Sequence, residues 1–303
     1  MRRFLSRCAV ASVAVGFIFL LPAAFVSSAF AQQDGAAKEA FYLRFLGTKA
    51  GTEYCPYAPT EPRSIFGYAM LHVPPNTVID FAQDAPDKMR HWEVAEEDID
   101  NILFTHSHFD HYDGPTVLSF AHDRWDKLGR KTKAFASETV FAALSEASAE
   151  AGAEKYLILT QVSPGDRIAL AEGVSATVLP SSHWTAPTPV TYLLDCHGTK
   201  VFYAVDAAAF RDEEFAALAG QHLDAVITDC TYLDAEVDPE KSGHMNYSMV
   251  RQQMQALSER GIATDQTPCY ITHLITIDHE QGAAAAREYG LRMAYDGLRV
   301  RLQ

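Results

Sequence analysis

Beyond its first 31 residues, this 303-residue chain reads as a layered α/β domain. Three observations predict that class. Short β-branched and aromatic runs alternate with stretches of helical periodicity. Several runs end on a residue suited to handling a metal ion or a proton, as in sheets whose sites gather at one edge of the strands. No Gly/Ser/Pro-rich linker, repeat or low-complexity tract interrupts residues 32–303, so these 272 residues are expected to share one core.

The chain opens with Arg2, Arg3 and Arg7, an apolar stretch over 9–25, and small residues ending in Ala29-Phe30-Ala31. That is the pattern of a secretory signal peptide cut near Ala31. The apolar stretch is shorter than the ~20 residues a spanning helix needs, so the mature form is expected without a membrane span and in the periplasm or outside the cell. Cys8 precedes the apolar stretch, where a lipid-accepting cysteine would not lie.

Strands are expected at 41–46, 66–73, 77–81 and 102–104, then at 178–179, 190–194, 201–205, 225–228 and 269–272, because each run is β-rich and bounded by turn formers or polar residues. Helices are expected at 137–150, where Val140, Leu144 and Ala147 keep a three- to four-residue beat, and at 212–219, 248–260 and 280–289. Of the mature cysteines, Cys55, Cys196, Cys230 and Cys269, no pairing is favoured. Cys230 reads as a small core residue after a strand.

The strongest local signal is Thr105-His106-Ser107-His108-Phe109-Asp110-His111, directly after the apolar run Ile102-Leu103-Phe104. Period two sends His106 and His108 to one face, and the following turn swings Asp110 and His111 toward a neighbouring point. Neutral imidazole and carboxylate suit zinc, manganese or iron. Other expected strand ends supply the remaining ligand types: His183, Asp206 and His273. His183 would join His106 and His108, His273 would join Asp110 and His111, and the Asp206 carboxylate would bridge two divalent ions, zinc or manganese.

The spacing His-x-His-x-Asp-His at 106–111, with His183, Asp206 and His273 following in order, resembles the metallo-β-lactamase superfamily. Phe45-Leu46-Gly47-Thr48, Asp229-Cys230-Thr231-Tyr232, Gly243-His244-Met245-Asn246, Thr272-His273-Leu274 and the closing stretch 294–300 are similar to landmarks of its phosphoribosyl cyclic phosphate phosphodiesterase and tRNA-maturing ribonuclease branch. The resemblance implies an αββα sandwich and a binuclear hydrolase acting on a small cyclic or diester phosphate through a metal-bridging hydroxide. It also implies His244 as general acid with Asp229 orienting it or acting as a second proton carrier, so that His244, Asp229 and Asp110 are the candidate catalytic residues. One departure concerns the loop after His273: Leu274-Ile275-Thr276 follows, and the next histidine is His279.

Two other readings stay open at this level. A lactonase, or another carbon-ester or β-lactam hydrolase, could use the same fold, although Asp110 stands where a cysteine-ligand β-lactamase has its thiolate. A metal-binding protein without turnover is the third. Removing residues 1–31 takes the formal charge from −14 to −17, which disfavours long nucleic acid and leaves a small phosphate ester as the expected partner. The sequence leaves a homodimer open.

Overall fold

The computed structural model describes residues 41–51, 57, 59, 62–238, 241–275 and 277–302. The expected signal peptide and Cys55 lie outside the described residues. Two seven-stranded sheets lie at the centre of the fold. The first contains β1 (Phe41–Gly47), β2 (Met70–Val73), β3 (Thr77–Ile79), β4 (Asn101–Leu103), β5 (Thr132–Ala136) and β6 (Leu157–Gln161). The second contains β7 (Arg167–Ala171), β8 (Val174–Pro180), β9 (Val190–Cys196), β10 (Thr199–Ala204), β11 (Ala225–Asp229), β12 (Cys269–Thr272) and β13 (Arg292–Met293). The last strand, β14 (Arg299–Leu302), returns to pair antiparallel with β1. The sheet orders are β14-β1-β2-β3-β4-β5-β6 and β13-β12-β11-β10-β9-β8-β7.

Helices α1 (Ala85–His91), α2 (Gly114–Leu128) and α3 (Glu138–Ala151) cover the first sheet, and α4 (Asp212–Ala217), α5 (Tyr247–Glu259) and α6 (His279–Glu288) the second. The layers follow from strands buried on both faces. In β10, Val201 and Tyr203 join the core shared with Leu43, Leu71 and Ile79 of the first sheet, while Phe202 and Ala204 pack with Val250 and Leu257 of α5. In β4, Leu103 faces the second sheet and Ile102 meets Val117 and Phe120 of α2. Alternation of apolar residues onto two apolar faces leaves no polar beat, which is why these strands read as continuous apolar runs. The architecture is the expected αββα sandwich.

The boundaries differ from the sequence reading in several places. Strand 66–73 begins only at Met70, and 77–81 ends at Ile79, where Asp80 takes a φ of 66°. The strand at 178–179 extends over Val174–Pro180. Two helices, α1 and α2, were not expected. Helix α2 starts on Gly114-Pro115 behind an Asp113 cap that accepts from the Thr116 amide, and its outer face is polar. Cys196, Cys230 and Cys269 are free and buried, so no bridge joins these three. Among the described residues no helix is long and apolar enough to cross a membrane.

Candidate metal centre

Parallel pairing brings the site residues to one edge. β3 and β4 run parallel, and Asp80 and the 105–111 segment follow their C-terminal ends. β10, β11 and β12 are also parallel, so Asp206, Asp229 and His273 leave the second sheet at its matching edge. Asp80, Asp206 and His273 hold left-handed backbone, with φ of 66°, 53° and 55°. Non-glycine residues adopt that region at a cost and persist there where surrounding contacts over-determine them. Here the bend turns each side chain out of the strand direction and into the cluster.

All seven sequence-predicted ligands meet. His106, His108, His183 and Asp206 form one set whose ligand atoms lie within 4.8 Å of one another, and Asp110, His111 and His273 form another. Asp206 belongs to the first set and reaches the second: its Oδ2 lies 3.1 Å from His106 Nε2, 3.4 Å from His111 Nε2 and 3.5 Å from His183 Nε2. Its Oδ1 lies 2.6 Å from His273 Nδ1. Asp229 and His244 stand in the same neighbourhood, forming a third group with Asp206 and His273.

Neighbouring residues aim these groups. Asp80, not singled out in the sequence, accepts from the Thr105 amide and hydroxyl and lies 2.8 Å from His111 Nδ1, which leaves His111 Nε2 for the cluster. The expected strand 77–81 runs past it, so the strand-end pattern that marks His106 and Asp206 does not mark Asp80. Gly243 carbonyl lies 3.0 Å from His183 Nδ1, and the Gly51 amide donates to Asp110 Oδ2 at 2.7 Å. Thr231, also missed, donates its hydroxyl toward Asp229 and the His273 carbonyl. Asp229 is fully buried, accepts the Met245 amide, and lies 3.0 Å from His244 Nδ1. His279, the next histidine after His273, lies elsewhere, at the start of α6 with its ring edge against Tyr295.

The electrostatics fit a cation. Burial, with His111 beside it, pushes His106 down to about 3, so its ring is neutral as a ligand requires. Burial would likewise strip His111, but the carboxylates of Asp206, Asp110 and Asp80 push it up to about 10. Burial opposes ionisation of Asp110 and Asp206, yet the surrounding imidazoles hold both carboxyls well below the usual range. Burial lowers His244, and the Asp229 carboxylate more than reverses it. Among the described ion pairs, every cationic partner of Asp80, Asp110, Asp206 and Asp229 is a histidine. His106 Nε2, His111 Nε2 and Asp206 Oδ1 are buried and face other members of the cluster, the two nitrogens the Asp206 carboxylate and Asp206 Oδ1 the His273 ring. Imidazole nitrogens and carboxylate oxygens that converge in one buried cluster are what a divalent ion would use, the imidazoles giving up their protons as it binds. The residues present therefore fit a metal.

A family model described as "Beta-lactamase superfamily domain" matches residues 74–290. Solved structures share the fold across nearly their full length. A diphosphatase from the PhnP family superposes with a TM-score of 0.65 at 19% identity, covering 88% of this chain and 98% of that one. Zn(2+)-bound PqqB from Methylobacterium extorquens gives 0.62 at 16% identity, covering 86% and 100%. The short form of human tRNase Z gives 0.59 at 15% identity, covering 86% and 98%. A search of the curated proteins gives no match.

Proposed function

Because the chain belongs to the β-lactamase superfamily, we propose that it is a binuclear metal-dependent phosphodiesterase of small cyclic or diester phosphates. At these identities the structural neighbours speak for the fold, so the reading rests on this chain's own residues. The observation that carries it is the pair His244–Asp229, 3.0 Å apart and beside the two ligand sets. A binding protein has no use for a second, carboxylate-oriented imidazole there. Cleavage of a phosphate diester has one, because the departing alkoxide must be protonated.

His106, His108 and His183 would hold one ion, Asp110, His111 and His273 the other, and Asp206 both. Divalent ions bound there would supply Lewis acidity and lower the pKa of bound water from 15.7 toward ~7. Zinc or manganese suits this nitrogen- and oxygen-rich donor set. Asp229 fixes His244 through Nδ1, so Nε2 is the nitrogen that hands a proton to the leaving oxygen. The buried Asp229 stays ionised while this happens and steadies the imidazolium beforehand.

The test is a side-by-side assay of metal-loaded protein on bis(4-nitrophenyl) phosphate, a lactone and a cephalosporin. The diester should be turned over and the carbonyl substrates should not. His244→Ala should lose roughly 10²- to 10⁴-fold on an alkyl diester, and less on a nitrophenyl one, whose leaving group needs little protonation. Turnover of the lactone alone, or full activity of the variant on the alkyl diester, would contradict the reading.

A further inference from the structure

The two most exposed large apolar side chains among the described residues adjoin the ligands. Phe109, 54% exposed, sits between His108 and Asp110, and Trp184, 51% exposed, follows His183. Ile275, 41% exposed, stands two residues after His273. His108 Nδ1 and His183 Nε2 are 3.3 Å apart, so Phe109 and Trp184 stand on two different loops that meet at the same cluster.

Both aromatics are held in place. The Trp184 indole N–H donates to the Ser242 carbonyl at 3.0 Å, and Ser242 Oγ in turn accepts the His244 amide. This ties the indole to the loop that carries His244. Phe109 meets the buried Tyr68 ring edge-on, with centroids 5.8 Å apart at 90°. A tryptophan or phenylalanine offers roughly 150–250 Å² of surface, so two that are half exposed leave about 200 Å² of aromatic surface uncovered. Rigid aromatic surface beside a reaction centre loses little freedom on binding a flat group.

Charge narrows the substrate further. Among the described ion pairs, no Lys or Arg contacts Asp80, Asp110, Asp206 or Asp229. The wider chain is acidic, at −14, and repels polyanions. We infer that the substrate is a singly charged phosphate diester with a flat aromatic group on an ester arm, and that Trp184 and Phe109 stack on that group. The inference rests on the phosphodiesterase reading and gives it a substrate class. An aryl group and a nucleobase share this chemistry.

Three symmetric or near-symmetric diesters test it: dibenzyl phosphate, diethyl phosphate and thymidylyl-thymidine. Benzyl alcohol and ethanol are of similar acidity, so the first two differ mainly in the ring. The wild type should prefer dibenzyl over diethyl phosphate by roughly tenfold or more in kcat/KM, expressed mainly in KM, as base–aromatic stacking elsewhere implies. Trp184→Ala should erase most of that ratio, and Trp184→Phe, which keeps a ring but loses the tie to Ser242, should retain part of it. The better of dibenzyl phosphate and thymidylyl-thymidine identifies the aryl or nucleoside source. Equal kcat/KM for dibenzyl and diethyl phosphate, or an unchanged ratio in Trp184→Ala, would overturn the inference while leaving the phosphodiesterase reading intact. If no diester is cleaved, that reading fails, and calorimetric titration with phenylphosphonate and methylphosphonate decides the stacking surface separately. Tighter phenylphosphonate binding that is lost in Trp184→Ala supports it, and equal affinities overturn it.

Discussion

Asp80 is not among the expected ligands, yet it holds one of them directly. Its carboxylate takes the Thr105 amide and hydroxyl and fixes the His111 ring. Asp80→Ala should weaken metal affinity 10- to 100-fold, as removal of a ligand's outer partner does, and titration against a chelator measures it. Far from the cluster, His72 on β2 carries a separate pH dependence. Burial, aided by Arg44 and Arg299, pushes it down to about 4. The folded chain therefore refuses a proton that the unfolded chain accepts below about 6.5, so its contribution is complete above that pH and is lost as pH falls toward 4. His72→Phe should make the acid side of a metal-free urea-stability profile shallower by up to about 3 kcal/mol. An unchanged slope would show that His72 is protonated in the fold.

Elements differ in how clearly the sequence shows them. The second sheet's β9 to β12 are legible because both faces are buried and the runs are apolar throughout. β5, β6 and β7 are not: Thr132-Lys133-Ala134-Phe135-Ala136 is short and mixed, and β6 and β7 sit at sheet edges where exposed residues dilute the pattern. The seven residues that the structure gathers were legible because four share one histidine- and aspartate-rich motif after a strand and three stand at other strand ends. Their support was less so. Asp80 looks like an ordinary turn residue after β3, and the contact of Gly51 with Asp110 links loops 59 residues apart. That contact is tight. A Cβ at Gly51 would lie 2.4 Å from Asp110 Cβ, Cγ and Oδ2. Gly51→Ala should displace Asp110 and weaken the His111/His273 set while sparing His106, His108 and His183, so metal content should fall from two equivalents toward one. Two tightly held ions in that variant would mean the loop simply shifts aside.

At the scale of the molecule, two sheets packed face to face present their parallel strand ends to one edge, and each sheet supplies part of the cluster. His106, His108, Asp110 and His111 come from the first sheet's edge, and His183, Asp206 and His273 from the second. Neither the set with His106 and His108 nor the set with Asp110 and His111 is complete within one sheet, so both need the shared core to hold the sheets in register. The chain is acidic, and among the described ion pairs the site's carboxylates have histidines as their cationic partners and no Lys or Arg, which leaves room for a divalent ion to supply permanent positive charge. The direct test is the metal content of the purified protein after reconstitution with zinc or manganese and removal of free ion. A binuclear centre should give close to two equivalents per chain, falling for both ions in Asp206→Ala. A stable value of one or none in the unsubstituted protein would contradict it.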